Sequence, residues 1–335
     1  MLHFEIFDLL QVRTFPLGEH ARRIVHSSHG KAFIVAVMCE IEEDDNDSFQ
    51  LKVYDESTFE LLDMSFRTAP CEIVNSLYCC NGLGKDPRTL IVATTAVVDM
   101  RKDDSTDGRV LVFEITPSRT LQLISEKNYP AGVCCIAVVG ENLAVTARQQ
   151  VSILKWESAD GSNSFKLQEE VSAQLHMHIV SMKVFGSTIF CGDIMKSVSL
   201  LKYNAELGTL SEYASAASEL WVTALHPVSD SMGFVADNYG NLFTMAIADE
   251  GDRVALAHGS PDQPRLEAIG VFHLGDQVNR FESGSLNLPV RDGDDGPVIS
   301  TTIFGTVSGR IGIIASISEA TYKTLRRAVE QYVYM

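Results

Sequence analysis

No stretch of this chain approaches the ~20 consecutive apolar residues that a membrane-spanning helix needs. No Lys/Arg run is longer than two, and 27 basic side chains face 44 acidic ones for a formal charge of −17. A nucleic-acid backbone would repel such a chain unless its basic residues gathered on one face, so a direct, charge-driven grip on DNA is not expected. The opening residues, Met1–Asp8, carry charge where a secretory signal would be apolar. Cysteines number seven, an odd count, and several sit inside apolar runs (Cys79-Cys80, Cys134-Cys135, Cys191). That pattern predicts reduced, buried thiols in a soluble intracellular protein, not a disulfide framework. The body of the chain also lacks 3.6-residue periodicity, which argues against helical repeats. What it does have is core material: 45% of residues are hydrophobic and 21% charged, a balance that excludes a disordered chain.

The apolar residues fall in runs of five to eight, rich in Val, Ile, Thr and aromatics and punctuated by Gly, Asn, Asp and Pro. This is strand chemistry. Three segments superimpose: Val133–Trp156, Val180–Tyr203 and Trp221–Met245. Each reads as a strand, a polar turn, a second strand, a tight turn and a third strand ending on a large side chain. Those endings, Phe113, Trp156, Tyr203 and Met245, are 43, 47 and 42 positions apart. Tyr54 precedes Phe113 by 59 positions, an excess that points to enlarged loops at Gly82–Arg88 and Asp99–Arg109. More polar fourth runs, such as Lys166–Ala173 and Thr209–Ala214, separate the units. Four strands in roughly 45 residues is the period of a β-propeller blade. A stack of β-sandwiches would explain the alternation but not the recurring third strand.

Blades are expected at about 22–66, 73–128, 132–172, 179–215, 221–273 and 277–317, the last without an obvious outer strand. Residues 2–17 add two strands, Leu2–Asp8 and Gln11–Leu17, as part of a closing blade. The expected fold is therefore all-β: a seven-bladed propeller, or an incomplete one of six blades plus a part, over residues 1–317. The expectation follows that the chain is a fragment or that another segment finishes the ring. In the tail, Ser316-Ile317-Ser318-Glu319 has the form of a capping box, and Tyr322, Leu325, Val329 and Val333 follow at helical spacing. A C-terminal amphipathic helix over residues 318–335 is predicted.

Chemistry is sparse. Gly192-Asp193 and Asp237-Asn238 sit where tight turns belong, and turn formation explains them. His26-x-x-His29 and His176-x-His178 have no Cys or carboxylate partner at metal-site spacing. Adjacent cysteines in a strand point to opposite faces, so neither Cys pair makes a metal site or an easy disulfide. The acidic runs Glu40–Asp47 and Asp292–Gly296 read as solvated loops. Walker, dinucleotide, G-x-S-x-G and H-E-x-x-H motifs do not occur. The expectation is no catalysis, no metal and no cofactor. Propellers of this kind work as platforms, with variable loops held on rigid blades. Trp221, opening an inner strand near one mouth of the central channel, is either an anchor for a partner or an inter-blade core residue.

The segment Gly192–Tyr203 (GDIMKSVSLLKY) resembles a stretch distinctive of one propeller family. Its members are the large subunit of damage-specific DNA-binding protein, which is the cullin-4 ubiquitin-ligase adaptor, the large cleavage and polyadenylation specificity subunit, and a splicing factor 3b subunit. Val271–Gly275 with Val278-Asn279, Phe304–Gly312, and Asp237–Phe243 are similar to further blocks of that family. Leu83–Pro87 and Gly108–Phe113 lean towards the ubiquitin-ligase adaptor, whose third propeller is the part resembled. The resemblance implies a nuclear platform, with the cytoplasm as a second compartment, serving DNA repair and protein ubiquitination. Implied partners are propeller-type substrate-receptor proteins and the remaining propellers of the same protein. Nucleic acid would be met through partners, and no membrane is involved. It further implies receptor-facing positions at Ala96, Gly132, Val180, Met182, Ile194, Trp221, Asn279 and Val307, a mostly apolar set suited to a receptor helix. The chain departs from the family at Ser215-Ala216, where an Arg-Asp pair is usual, and at Gln277, where an aromatic is usual. Ser cannot replace a two-pronged Arg contact, which bears on the receptors such a surface would take. Two alternatives stand beside this reading: a scaffold of pre-mRNA 3′-end processing or splicing from the same family, and a metal- or nucleotide-dependent hydrolase.

Overall fold

Period-two runs that are apolar at both parities bury both faces of a strand, and a sheet of such strands needs a neighbour on each side. A computed structural model shows this arrangement for residues 14–39, 48–98, 107–158, 165–216, 218–248, 264–284 and 301–333, the residues it describes. Leu2–Asp8, Gln11–Arg13 of the expected second strand, the acidic runs 40–47 and 292–296, and residues 99–106 of the expected second loop lie outside them, and Thr14–Leu17 form no strand. The chain divides into two units, residues 1–174 and 175–335.

The first unit holds three antiparallel four-stranded sheets in consecutive order. The first sheet is β1 (His20–Ser27), β2 (Ala32–Cys39), β3 (Ser48–Asp55) and β4 (Leu61–Arg67). The second is β5 (Glu72–Leu83), β6 (Asp86–Val97), β7 (Gly108–Ile115) and β8 (Leu121–Tyr129). The third is β9 (Val133–Val139), β10 (Asn142–Ala147), β11 (Gln150–Ser158) and β12 (Phe165–Gln174). In β6 and β7 alternation decides which neighbour each side chain meets. Ile91, Ala93, Leu111 and Phe113 pack with Ile34, Ala36, Leu51 and Val53 of the first sheet. Leu90, Val92, Val110 and Val112 pack with Leu143, Val145, Leu154 and Trp156 of the third. Phe113 is fully buried, and trimming such a side chain to Ala costs about 3–5 kcal/mol. The enlarged loop expected at Gly82–Arg88 is instead a tight hairpin in which Leu83 pairs with Asp86. The extra length went into two twelve-residue strands, because Asp86 has buried partners that let a charged residue stay in the ladder. The opposite face of the first sheet carries a groove of about 320 Å³ lined by Phe15, Phe33, Tyr54 and Phe59, with Arg22 and Arg23 at hand.

The second unit repeats the plan. Its fourth sheet is β13 (Ile179–Phe185), β14 (Thr188–Asp193), β15 (Val198–Asn204) and β16 (Thr209–Ala216). The fifth is β17 (Val222–Pro227), β18 (Met232–Asp237), β19 (Asn241–Ile247) and β20 (Arg265–His273). A short parallel contact, Ser215 with Arg265 and Ala216 with Leu266, joins their outer strands into one ladder. The sixth sheet has three strands among the described residues: β21 (Val278–Ser283), β22 (Thr301–Thr306) and β23 (Ile311–Ala315). Phe190, Val198 and Leu200 meet Val222, Leu225, Val235 and Met245 between the fourth and fifth sheets. Ala224 and Ala236 meet Val278, Phe281 and Phe304 between the fifth and sixth. Gly192 makes the first of these contacts possible, since a Cβ there would lie 2.6 Å from Cγ1 of Val222.

The tail forms α1 (Glu319–Val333). Its cap is Ser318, not the Ser316 of the sequence motif. The Ser318 hydroxyl accepts from the amide of Thr321 at 3.2 Å, one helical turn on. The helix begins one residue after Ser318, so Glu319 occupies its first position and cannot close a box with Ser316. No helix among the described residues is long and apolar enough to cross a membrane.

Candidate protein-interaction face

The first strand of every sheet carries a β-bulge close to its start. Register slips at Ala21/Arg23, Val74/Ser76, Ile179/Ser181, Val222/Ala224 and Val278/Arg280, and opposite Ala147 between Val133 and Cys135. The extra residues are Arg22, Asn75, Cys134, Val180, Thr223 and Asn279. A bulge re-aims its side chain out of the pleat, and two of these reach the neighbouring sheet. The Asn75 amide donates to the carbonyl of Val133 at 3.0 Å, and the Thr223 hydroxyl to that of Val278 at 2.8 Å.

Beside four of these bulges lies a main-chain latch. The residue after the second strand donates its amide to the carbonyl of the residue before the first. The pairs are Val98 to Cys71 at 2.9 Å, Ile194 to His178 at 3.3 Å, Asn238 to Trp221 at 3.1 Å and Val307 to Gln277 at 2.9 Å. Ile194, Asn238 and Val307 thus occupy equivalent places on the donor side of consecutive latches in the second unit, and His178, Trp221 and Gln277 equivalent places on the acceptor side, all at one end of their sheets. Trp221 is 52% exposed and Val307 60%. Since β13 lies against β17 and β17 against β21, Val180, Trp221 and Asn279 stand at the starts of adjacent inner strands. Val180 and Asn279, both bulge residues, are exposed, while Met182 is buried behind them. In the first unit, Ala96 near the end of β6 and Gly132 just before β9 are both buried.

Side-chain hydrogen bonds stiffen this end of the second unit. Asp193 accepts from the amides of Met195, Lys196 and Ser197. Asp237 accepts from the amides of Tyr239 and Asn241 and from the Asn241 side chain. His273 Nδ1 lies 2.8 Å from Asn241 Oδ1, and the amides of Leu274 and Gly275 donate to the carbonyl of Gly240. Gly240 sits at φ +76°, and a Cβ there would come within 2.9 Å of the Asp276 amide. Asp276 in turn accepts from the Ser308 hydroxyl, which with Thr306 holds its carboxyl below the ordinary range. The blocks around Asp237, His273 and Val307, separate in sequence, interlock here. Two exposed side chains on these turns escaped the sequence reading, Tyr239 (76% exposed) and Met195 (57%). An aromatic in a Gly/Asn-rich tight turn was the available signal for the first.

The titratable groups buried in the first unit are structural. Glu72 accepts from Arg109 through two guanidinium nitrogens, from the Thr95 hydroxyl and from the Ala69 amide. Burial pushes its pKa up, but those donors outweigh it and leave the carboxyl below its ordinary value. Asp86 accepts from Trp156 Nε1 at 2.9 Å and from Arg88 Nη2 at 2.7 Å. There too burial raises and the Arg88 and Trp156 bonds lower, with a net downward shift. His26 faces Glu56 at 3.5 Å, and no group of three or more His, Cys, Asp or Glu side chains is arranged to hold a metal among the described residues. No cysteine is in a disulfide among the described residues, and in each adjacent pair one residue is buried and the other half-buried. Burial pushes Cys80 up to about 12 and Cys134 to about 11.

Antiparallel sheets of three or four strands among the described residues, each with a bulge in its first strand, define an all-β protein of the β-propeller class. Residues 48–332 match the model of the CPSF A subunit region, and the chain belongs to that family. Among its curated relatives, DNA damage-binding protein 1b of Arabidopsis thaliana is 34% identical over 319 residues, and DNA damage-binding protein 1 of Solanum lycopersicum is 33% identical over 323. The rice protein of the same name, from Oryza sativa subsp. japonica, is 32% identical over 321 residues. Each alignment covers 95% of this chain and 28% of the relative, so the chain spans little more than a quarter of their length.

Proposed function

We propose that this chain is a non-catalytic protein-interaction platform of the cullin-4 ubiquitin-ligase adaptor type. It would present a docking face to propeller-type substrate receptors in the nucleus, in DNA-damage recognition and protein turnover. One observation carries the reading. Exposed apolar side chains (Val180, Trp221, Val307) stand beside the latches of the second unit, at an end stiffened by Asp193, Asp237 and Asp276. A rigid apolar surface of this kind suits a partner helix, because little side-chain entropy is lost on binding. Met182 backs the exposed residues, and Asn279 supplies a polar contact. Membership of a scaffold and adaptor family supports the reading, as do relatives named for binding damaged DNA. Nucleic acid would be reached through partners, given the charge of −17.

The test is a pull-down with a propeller-type substrate receptor, with the other propellers of the longer relatives supplied. Retention should weaken about tenfold or more in Trp221→Ala, the usual scale for a central aromatic anchor. Failure to retain any receptor sinks the proposal. The family's description favours a second reading, a scaffold in pre-mRNA 3′-end processing or splicing. Co-purification with polyadenylation or spliceosome subunits in place of receptors would establish it.

A further inference from the structure

The inner strands of the second unit carry another cluster, at the end opposite Trp221. Lys183 lies on β13, His226 on β17, and Arg280, Glu282 and Ser283 on β21, three strands side by side. Lys183 Nζ is 3.6 Å from Glu282 Oε2, and Arg280 Nε is 3.4 Å from the same oxygen. His226 Nε2 lies 3.4 Å from the Ser283 hydroxyl, while its Nδ1 is buried without a hydrogen-bond partner among the described residues. Trp221 and His226 are five residues apart along the strand, about 16 Å at ~3.3 Å per residue. His226 and Ser283 thus lie away from Trp221, while Lys183 and Arg280 directly follow Met182 and Asn279 in the chain.

Charge is unbalanced here. One carboxylate serves two cations, and the side chains of Arg280 and Glu282 are both about two-thirds exposed, so water screens their pairing. Lys183 is three-quarters buried. Burial holds its ammonium below the ordinary value, and Arg280 pushes the same way. His226 is lowered by burial first and by Lys183 second. These bases are desolvated and repel one another, a situation that added negative charge relieves. The donors present, an ammonium, a guanidinium fork and a hydroxyl, are those that recognise phosphate oxygens.

We propose that Lys183, Arg280 and Ser283, with His226 behind them, form a binding site for a small multivalent phosphate-type anion, with Glu282 as its internal competitor. Isothermal titration of the full 335-residue chain with inorganic pyrophosphate tests it, with sulfate as the second arm. Pyrophosphate should bind, and Arg280→Gln and Lys183→Gln should each weaken it about tenfold, the scale of one charge-assisted hydrogen bond. Glu282→Gln should tighten binding, an outcome that a merely structural ion triplet does not produce. Lys323→Gln, on α1 and paired with Glu319, should leave affinity unchanged. Circular dichroism checks folding of each variant, and the exposed Arg280 carries the test if the Lys183 variant unfolds. Absence of binding overturns the proposal, as does affinity unmoved by Arg280→Gln or weakened by Glu282→Gln. Sulfate binding as tight as pyrophosphate overturns the phosphate assignment.

Discussion

Replacing Asp86 by Ala isolates the contact that ties the second sheet to the third. The carboxylate, 2% exposed, accepts from buried Trp156 Nε1 across 70 positions of sequence and from the Arg88 guanidinium and amide. Without it the indole N–H is left unsatisfied, at about 1–3 kcal/mol. Arg88 keeps Glu114 at 2.6 Å and is one-third exposed, so water takes up part of the loss and the ion-pair share shrinks to about 1–2 kcal/mol. The sum is about 2–5 kcal/mol, or roughly 5–20 °C in melting temperature for a unit of this size. Tryptophan fluorescence reads it directly, because the chain has two tryptophans and Trp156 is buried while Trp221 is not. In a Trp221→Phe background the Trp156 signal should report unfolding of the first unit alone. Asp86→Asn, which keeps an acceptor for the indole but loses the charge, should cost about half as much. A cycle pairing Asp86→Ala with Trp156→Phe should show about 1–2 kcal/mol of coupling. An Asp86→Ala midpoint within 2 °C of wild type, near the noise of about 0.5 kcal/mol for surface changes, would refute the reasoning.

Two further predictions follow from groups in each unit. Glu72 and Asp86 both have lowered carboxyl pKa values, so the stability they contribute is complete at neutral pH and is lost as pH falls through those values, below the ordinary range near ~4. The urea midpoint of the first unit should therefore drop below about pH 4, and Glu72→Gln should flatten that limb while lowering stability at neutral pH; an unchanged acid limb contradicts the assignment. At the C-terminus, Ser318→Ala should reduce helix stability by about 0.5–2 kcal/mol while Ser316→Ala leaves it unchanged, as hydrogen exchange at the Thr321 amide would show.

The sheets were legible because their signal is local. Phe113, Trp156, Tyr203 and Met245 are all 5% exposed or less, and each closes a run whose alternate residues meet different neighbours. What depended on pairing across strands was not. Asp86 looked like a loop residue until Trp156 supplied its partner. Ser316 read as the cap by its S-x-x-E spacing, and only the start of the helix shows that Ser318 takes that place. The bulges have no sequence signature, because residues as unlike as Arg22, Asn75, Val180 and Thr223 occupy them. The Lys183–Arg280–Glu282 cluster draws on strands nearly a hundred positions apart, beyond the reach of spacing rules. Trp221 was visible as the opening of an inner strand, and its exposure is not that of a buried inter-blade residue.

The latches are built from peptide groups, and that has a bearing on how such a protein changes over time. Identity at Ile194, Trp221 or Val307 is free to drift, since the amide and carbonyl that tie the ladder belong to any residue but proline. One skeleton can in this way carry successive surfaces for different clients, each reached by single substitutions that leave the frame standing.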